Sequence, residues 1–389
     1  MELSVDAWVL HAGPVPEGPA RPVPGAFVRE PFRLPELADE EVLIEPLYGS
    51  WEANIDHALL RDPIDVCRAR GEDAVILGNL AVARVLRPGR RCGELKAGDL
   101  CLVMPFGVRD RYGYAELAYA YDAPGTFGVL AKQTKLTADQ LLPVPEQTRY
   151  SLPDWAAYGR YFTAWDNWRV AHGCWRTQME DADPGSSLVF GWGGGVVFAE
   201  MQLAQQAGFT VAMTAGSDQR LAFLKEHGII GVDRRLFPDL SPVPGASGAD
   251  PRALSRQKAS RKKFAEIIDE LSGGGGVSIF IDNIGAPLYR STVRALGRQG
   301  VIASVGWKGG MQISSLRATE CIKRQLHVNT HVWRHGDSAS IRDQMELTGW
   351  GPAIDPGAVY DFDDVPQLAA DYQAGKLDTY FPLFRINEA

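Results

Sequence analysis

The residues best placed to do chemistry lie in LVFGWGGGVVFAEMQLAQQAG, Leu188 to Gly208. There an apolar run meets Gly191, Gly193, Gly194 and Gly195, and then small and apolar residues at helical spacing. Glycines let a backbone come close to a pyrophosphate, and the first N–H groups and positive dipole end of a following helix meet its charge. The pattern predicts a strand, a tight turn and a helix that cradle a dinucleotide, with Val196 and Val197 at the helix start. Strand-like runs recur at FTVAMTAG (Phe209 to Gly216), GGVSIFIDNIG and GVIASVGW, and strands alternating with helices predict parallel βαβ units. At the end of the second strand a carboxylate would bind a ribose 2′-hydroxyl. MTAGSDQR instead offers Ser217 and Arg220, which suit a 2′-phosphate and so predict NADPH. Asp218 is read as a helix N-cap, and a solvated first-turn arginine remains the alternative for Arg220.

The elements that must position this turn divide the chain into three stretches. Residues 1–150 are rich in Pro, Gly and short β-like runs such as EVLIEPLYG and DLCLVMPFG, which predicts a compact, mainly β domain. Near SLPDWAAYGRYFTAWDNWRVAHG the pattern turns helical and opens the Rossmann-like stretch, residues 151–335, interrupted by a polar loop from Phe237 to Arg256. Residues 336–389 carry GAVYDF and TYFPLFRI around the amphipathic VPQLAADYQAGK, and are expected to return to the first domain. With 389 residues, 45% hydrophobic and 23% charged, the chain can build two ordinary cores. A net charge of −8 gives no reason to expect nucleic acid. The absence of any apolar run of about eighteen residues argues against a membrane span, and an opening without a basic segment suggests a cytoplasmic protein. Cys67, Cys92, Cys101, Cys174 and Cys321 are scattered, with no C-x-x-C pair, so reduced thiols are expected.

In this order the segments DAWVLHAGP, KAGDLCLVMP, QLLPVP, FTAW, the glycine turn and DNIG resemble the medium-chain dehydrogenase/reductase superfamily over nearly the whole chain. FGVLAKQTKLTADQLLPVP (Phe127 to Pro145), the basic helix before FIDNIG and IKRQLHVNTHVWR are most similar to its crotonyl-CoA reductase/carboxylase branch. The resemblance implies an α/β fold, with a Rossmann-type doubly wound parallel sheet, a mainly β GroES-like catalytic domain, and a homodimer. It also implies that Thr163, Asn283 to Gly285 and Gly306 line the nicotinamide pocket. Aligned on QLA, the family's glycines three apart fall on Gly191, Gly194 and Val197, so a valine stands where the last glycine belongs. A turn shifted onto Gly193, Gly194 and Gly195 could restore the close approach. A Val197→Gly change is expected to tighten NADPH binding if the valine is a defect.

A catalytic zinc needs three Cys, His or carboxylate ligands around an open position. The zinc-binding members carry an early Cys and a Gly-His-Glu. The matching stretches here are GSWEANIDH and LGNLAVARV, with Glu52 near the Cys position and Asn79 and Leu80 in place of His and Glu. Glu52 and His57 lack a third ligand, and no metal is expected. Without a metal to polarise a carbonyl, the favoured chemistry is hydride transfer to an activated C=C, where an acyl thioester or ketone stabilises the enolate.

Asn54 is the first choice to orient that substrate and Tyr114 the second, as a phenol that could donate to an enolate oxygen. Their plain alternatives are a turn-building Asn and a β-domain core aromatic. Carboxylating relatives hold carbon dioxide with an Asn, a Glu and a His. Here Asn329 falls on the His position and Ala115 on the Glu position, so carboxylation is not expected. His327 and His331 flank Asn329 at period-two spacing and would serve if the register slipped. RQKASRKK (Arg256 to Lys263) could attract the phosphates of coenzyme A or an acidic acyl carrier protein, or could be a solvated helix start. Trp51, Trp165, Trp192, Trp307 and Trp333 are expected around an apolar substrate cleft. The leading expectation is a zinc-independent NADPH-dependent enoyl thioester reductase. A quinone, enone or alcohol oxidoreductase and a redox-inactive homologue are the alternatives.

Overall fold

The computed structural model describes residues 3–14, 22–241, 250–306, 310, 324–330 and 333–389. The chain divides into two compact units, Met1–Phe162 with Trp333–Ala389, and Thr163–Val332.

The first unit opens with β1 (Leu3–His11), β2 (Phe27–Leu34) and β3 (Glu41–Ser50), then α1 (Ala53–Leu60) and α2 (Val66–Arg70). Next come β4 (Ala74–Ile76), β5 (Ala81–Pro88), β6 (Leu100–Val103), β7 (Phe106–Arg109), β8 (Ala115–Ala118), β9 (Thr134–Thr137) and β10 (Leu141–Pro143). In β3, Val42, Ile44 and Leu47 are fully buried. A short helix α3 (Leu152–Ala156), started by a capping box of Ser151 and Asp154, leads into α4 (Tyr158–Gln178), which the two units share.

The second unit is a six-stranded parallel sheet in the order β13-β12-β11-β14-β15-β16. Its strands are β11 (Leu188–Trp192), β12 (Thr210–Ala215), β13 (Ile230–Asp233), β14 (Val277–Asp282), β15 (Leu296–Ser304) and β16 (His327–Thr330). Helices α5 (Gly195–Gln206), α6 (Asp218–Glu226), α7 (Pro251–Ser272) and α8 (Tyr289–Ala295) connect them. The order reverses between β11 and β14, the switch point at which doubly wound sheets bind nucleotides. Central β11 is buried at every position, as a strand covered on both faces must be. The sequence pattern had placed a loop over Phe237 to Arg256 and the basic run ahead of its helix. Instead α7 begins at Pro251, capped by the Asp250 carboxylate accepting from Arg252 N–H, and the run lies inside the helix.

The chain ends in the first unit with α9 (Ser338–Thr348), β17 (Val359–Asp361), α10 (Val365–Gln373) and β18 (Leu383–Arg385). Strand β18 pairs antiparallel with β3, Leu383 opposite Ser50. Trp51 is fully buried beside Phe27, Tyr372 and Phe384, so it is a core residue and not a cleft-lining one. Trp192 is likewise core, packed on Phe264 and Phe280. No helix among the described residues is long and apolar enough to cross a membrane. Cys67, Cys92, Cys101 and Cys174 are free thiols, and Cys321 lies outside the described residues.

Candidate functional site

The carboxyl end of β11 turns through Trp192, Gly193 and Gly194 into α5, which begins at Gly195. Gly193 has φ +152°, a conformation that side chains disfavour, and a Cβ there would meet Val197 Cγ2 at 2.6 Å. A Cβ at Gly191 would meet Val197 Cγ1 at 2.6 Å and Met201 Cε at 2.7 Å. Val197 is fully buried beneath the turn, so its methyls fill the space that Gly191 and Gly193 leave empty. The valine is therefore matched by the glycines it touches and does not lie across the outer face of the turn. Gly194, the N-cap, has nothing within 4 Å of a Cβ position. The N–H groups of Gly195, Val196 and Val197 follow in the first helical turn, without intrahelical partners.

At the carboxyl end of β12 the chain runs Gly216, Ser217, Asp218 into α6. The N-cap is Ser217, whose Oγ accepts from Arg220 N–H at 3.3 Å. This corrects the assignment of the cap to Asp218. Ser217 has the extended backbone a cap needs, whereas Asp218 is already helical and pairs with Arg235 at 2.5 Å. Arg235 also holds Asp233 at 2.8 Å, so two carboxylates engage it. The neighbouring Arg234 is different. Its guanidinium lies against Gly216, where any Cβ would collide with it, and the side chain is exposed. Half-buried Arg220 sits in the first turn of the same helix. Arg234 escaped the sequence reading because it comes from the turn after β13, a strand with a single fully buried residue.

The DNIG segment closes the carboxyl end of β14. Buried Asp282 accepts from Ile284 N–H at 3.0 Å, Gly285 N–H at 2.9 Å and the Thr292 hydroxyl at 2.6 Å. Gly285 has φ +86°. Asn283 Oδ1 accepts from Val305 N–H at 3.1 Å and Gly306 N–H at 3.3 Å, tying β14 to the end of β15. A Cβ at Gly306 would stand 2.9 Å from Asn283 Cβ. Thr163 is 8% exposed on α4. Asn329 lies on β16 opposite Ala303, with its Nδ2 buried and lacking a hydrogen bond among the described residues. His327 Nε2 meets Gln299 Oε1 at 3.1 Å, and His331 and Trp307 lie outside the described residues.

The first unit holds Asn54 and Tyr114. Asn54 is half-buried on α1. Tyr114 is 37% exposed, and its backbone bridges Arg334. In the same unit lies a polar group of which the sequence pattern had pointed to Glu52 and Asn79, but not to Tyr121 or Arg160. Glu52 is the N-cap of α1 but makes no capping bond. Burial lifts its carboxyl to about 7, against the pull of the Arg160 guanidinium. Tyr121 stands beside Glu52 and the backbone of Gly78, and burial and the Glu52 charge push its phenol well above the usual range. Neither Glu52 Oε1 nor the Tyr121 hydroxyl completes a hydrogen bond among the described residues, nor does either side-chain polar atom of Asn79.

The basic run forms a separate feature. Lys258, Arg261 and Lys262 of α7 face Arg294, Arg298 and Arg324 across a groove of about 990 Å³ floored by Phe264 and Ile268. Burial, with Arg290 and Arg294 nearby, pulls the Arg261 guanidinium below its usual value. The groove opens by Gly274 to Gly276 and Leu296, at the amino ends of β14 and β15, so it is no part of the glycine-turn constellation at the carboxyl ends.

Residues 195–348 match the family model described as zinc-binding dehydrogenase. Over 156 residues the chain is 27% identical to quinone oxidoreductase-like protein 2 of Bos taurus, a stretch covering 38% of this chain and 42% of that protein. Thus the match spans less than half of that relative. Among solved structures, crotonyl-CoA carboxylase/reductase AntE in complex with NADP superposes with a TM-score of 0.76 at 20% identity, over 98% of this chain and 94% of that one. The 2-octenoyl-CoA carboxylase reductase CinF, in complex with NADP and 2-octenoyl-CoA, gives 0.74 at 18% identity, over 98% and 87%. The 2R,3R-butanediol dehydrogenase of Bacillus subtilis gives 0.70 at 16%, over 98% and 100%. Residues 195–348 are thus similar to that dehydrogenase family, and the chain shares the fold of the superposed structures.

The donors present do not make the ligand set that the zinc-binding description of that model names. Asn79 and Leu80 bring an amide and an alkyl group, and among the described residues no three His, Cys, Asp or Glu side chains come together. A nicotinamide dinucleotide, in contrast, fits. The open Gly194 position and the leading N–H groups of α5 have the chemistry to accept a pyrophosphate, and the Arg234 guanidinium against Gly216 that to accept a further phosphate.

Proposed function

We propose that this chain is a medium-chain dehydrogenase/reductase and works as an NADPH-dependent reductase of α,β-unsaturated acyl thioesters. The observation that carries the cofactor choice is the end of β12. A carboxylate that would select the unphosphorylated ribose is replaced by Gly216, and the exposed Arg234 guanidinium rests over it with Ser217 and Arg220 alongside. The nicotinamide supplies a hydride when bound. The chain itself supplies α5 N–H groups for the pyrophosphate, and Asn283, Gly285, Gly306 and Thr163 for the ring end. NADP in the similar AntE and CinF structures, and 2-octenoyl-CoA in the latter, supports the same reading.

The polar group around Glu52, with no group of three metal donors among the described residues, suits an enolate better than a metal alkoxide. Asn54 and Tyr114 are the substrate-orienting candidates on the first unit. Without a His at Asn329, simple reduction is favoured over carboxylation. A quinone substrate is the second reading, favoured by the bovine quinone oxidoreductase-like relative.

NADPH oxidation with crotonyl-CoA, with and without bicarbonate, and with a quinone panel tests these together. The expected result is turnover of the thioester to the saturated, uncarboxylated acyl product. Turnover of quinones alone would replace the first reading with the second.

A further inference from the structure

The parallel pairing of β12 with β13 sets Ala215 opposite Asp233, so Gly216 and Arg234 follow side by side just past the sheet. A single helical turn over Arg234–Leu236 then carries the chain to Phe237, which is buried against Phe264. With one end in a strand and the other in the core, that turn presents two adjacent arginines to the segment that starts α6.

The two arginines meet different partners. Arg235 donates from Nε to both oxygens of Asp233, at 2.8 and 3.0 Å, and from Nη2 to Asp218 Oδ1 at 2.5 Å. Asp233 also accepts from Arg235 N–H at 2.9 Å, so main chain and side chain both tie the turn. The Arg235 guanidinium holds the Asp233 carboxyl below its usual range, and the two carboxylates raise the guanidinium in return. Arg234 has no ion pair or side-chain hydrogen bond among the described residues, and its guanidinium lies against Gly216.

Asp218 has a local reason for its place, since a carboxylate in the first turn meets the positive end of the α6 dipole. That same carboxylate is two residues from Gly216, where a 2′-phosphate tolerates no negative charge. Left free, it would repel the phosphate, pair with Arg234 or accept from a bare ribose 2′-hydroxyl, and each of these favours NADH. Arg235 gives it another partner. With Asp218 88% and Arg235 50% exposed, the ion pair adds little to stability, so its consequence is where the charges sit.

Resting on the NADPH reading, we infer that Arg235 is a positioning residue for cofactor choice: it draws Asp218 and Asp233 onto its own guanidinium and so leaves Arg234 unpaired for the 2′-phosphate. Arg235 does not itself touch the phosphate. Specificity then belongs to the adjacent pair, one arginine occupied by carboxylates and the other open to an anion. A planar guanidinium suits the first role because its fixed fork engages two carboxylates at once.

Calorimetric titration of NADPH and NADH into wild type, Arg235→Ala, Asp218→Asn and the double variant tests this. The quantity read is the ratio of the two dissociation constants, because the nucleotides differ only at the 2′ position and a general disturbance of the turn moves both. In Arg235→Ala the preference for NADPH should fall about tenfold, most of it through weaker NADPH. Asp218→Asn alone should leave the ratio within about twofold of wild type, because the carboxylate it removes is already held. The double variant should return to within about threefold of wild type, since the freed carboxylate is gone and Asp233 keeps the main-chain N–H that alanine retains. An Arg235→Ala ratio within about twofold of wild type overturns the assignment. So does a double variant as impaired as Arg235→Ala, which would mean that Arg235 meets the phosphate itself. A shift beyond about threefold in Asp218→Asn alone would show a carboxylate already free in wild type, and overturns it too. Wild type that binds neither nucleotide, or prefers NADH, sinks the NADPH reading and this one with it. A wild-type preference for NADPH that Arg235→Ala leaves intact sinks the role of Arg235 alone.

Discussion

At the carboxyl ends of β11 and β12 the second unit prepares to meet charge with main-chain N–H groups and a guanidinium laid over a glycine. Beyond β3 the first unit instead gathers an acid, an amide, a phenol and an indole from separate segments and leaves them buried and open. The first arrangement is built from absence of side chain and is indifferent to most of the cofactor's chemistry. The second holds a carboxyl that burial keeps protonated up to about 7. The two regions are thus different kinds of structure, and substitutions should separate them.

The largest effect is expected at the turn itself. Gly193→Ala places a Cβ 2.6 Å from Val197 Cγ2 in a backbone region closed to side chains. It should weaken NADPH binding by about 100-fold through displacement of the turn. Adding Val197→Gly should return part of that loss by removing the methyls, and calorimetric titration of the two single variants and the double variant measures the coupling.

Alone, Val197→Gly should lower stability by roughly 2–3 kcal/mol, from the lost buried side chain and the poorer helix former, without tightening NADPH. Thermal unfolding beside NADPH titration checks this. A tighter cofactor would restore the view of the valine as a defect.

The contrast also explains what could be read from the sequence. Gly191 to Gly195 announce themselves because glycines clustered between an apolar run and a helical pattern have few other uses, and the central strands β11 and β14 are apolar enough to stand out. Edge strand β13 did not stand out, because Ile230 and Gly231 are exposed, and Arg234 was missed with it. Val197 looked wrong in a linear alignment, since which way a helix-start side chain points is decided by the packing of Gly191 and Gly193. Glu52 and Asn79 were noticed as departures from a zinc set. Tyr121 and Arg160 gave no local signal, because strand register and the start of a helix bring them to Glu52 from about 70 and 110 residues away.

A moderate effect is expected at the 2′-phosphate subsite. Arg234→Ala should weaken NADPH by about tenfold or more, the worth of a charge-assisted hydrogen bond, and leave NADH nearly unchanged. Equal losses for both nucleotides would place Arg234 elsewhere.

The smallest effect concerns the open amide. Asn79→Leu, nearly isosteric, should raise the thermal stability of the protein by about 1 kcal/mol, because it removes an unsatisfied buried group. A loss of stability would show that Asn79 is satisfied within the fold.

Calorimetric titration of the purified wild-type protein with NADPH and with NADH tests the account most directly. It should show one NADPH site per chain, with NADH at least about tenfold weaker. No binding of either nucleotide at millimolar concentration, or a preference for NADH, would contradict it.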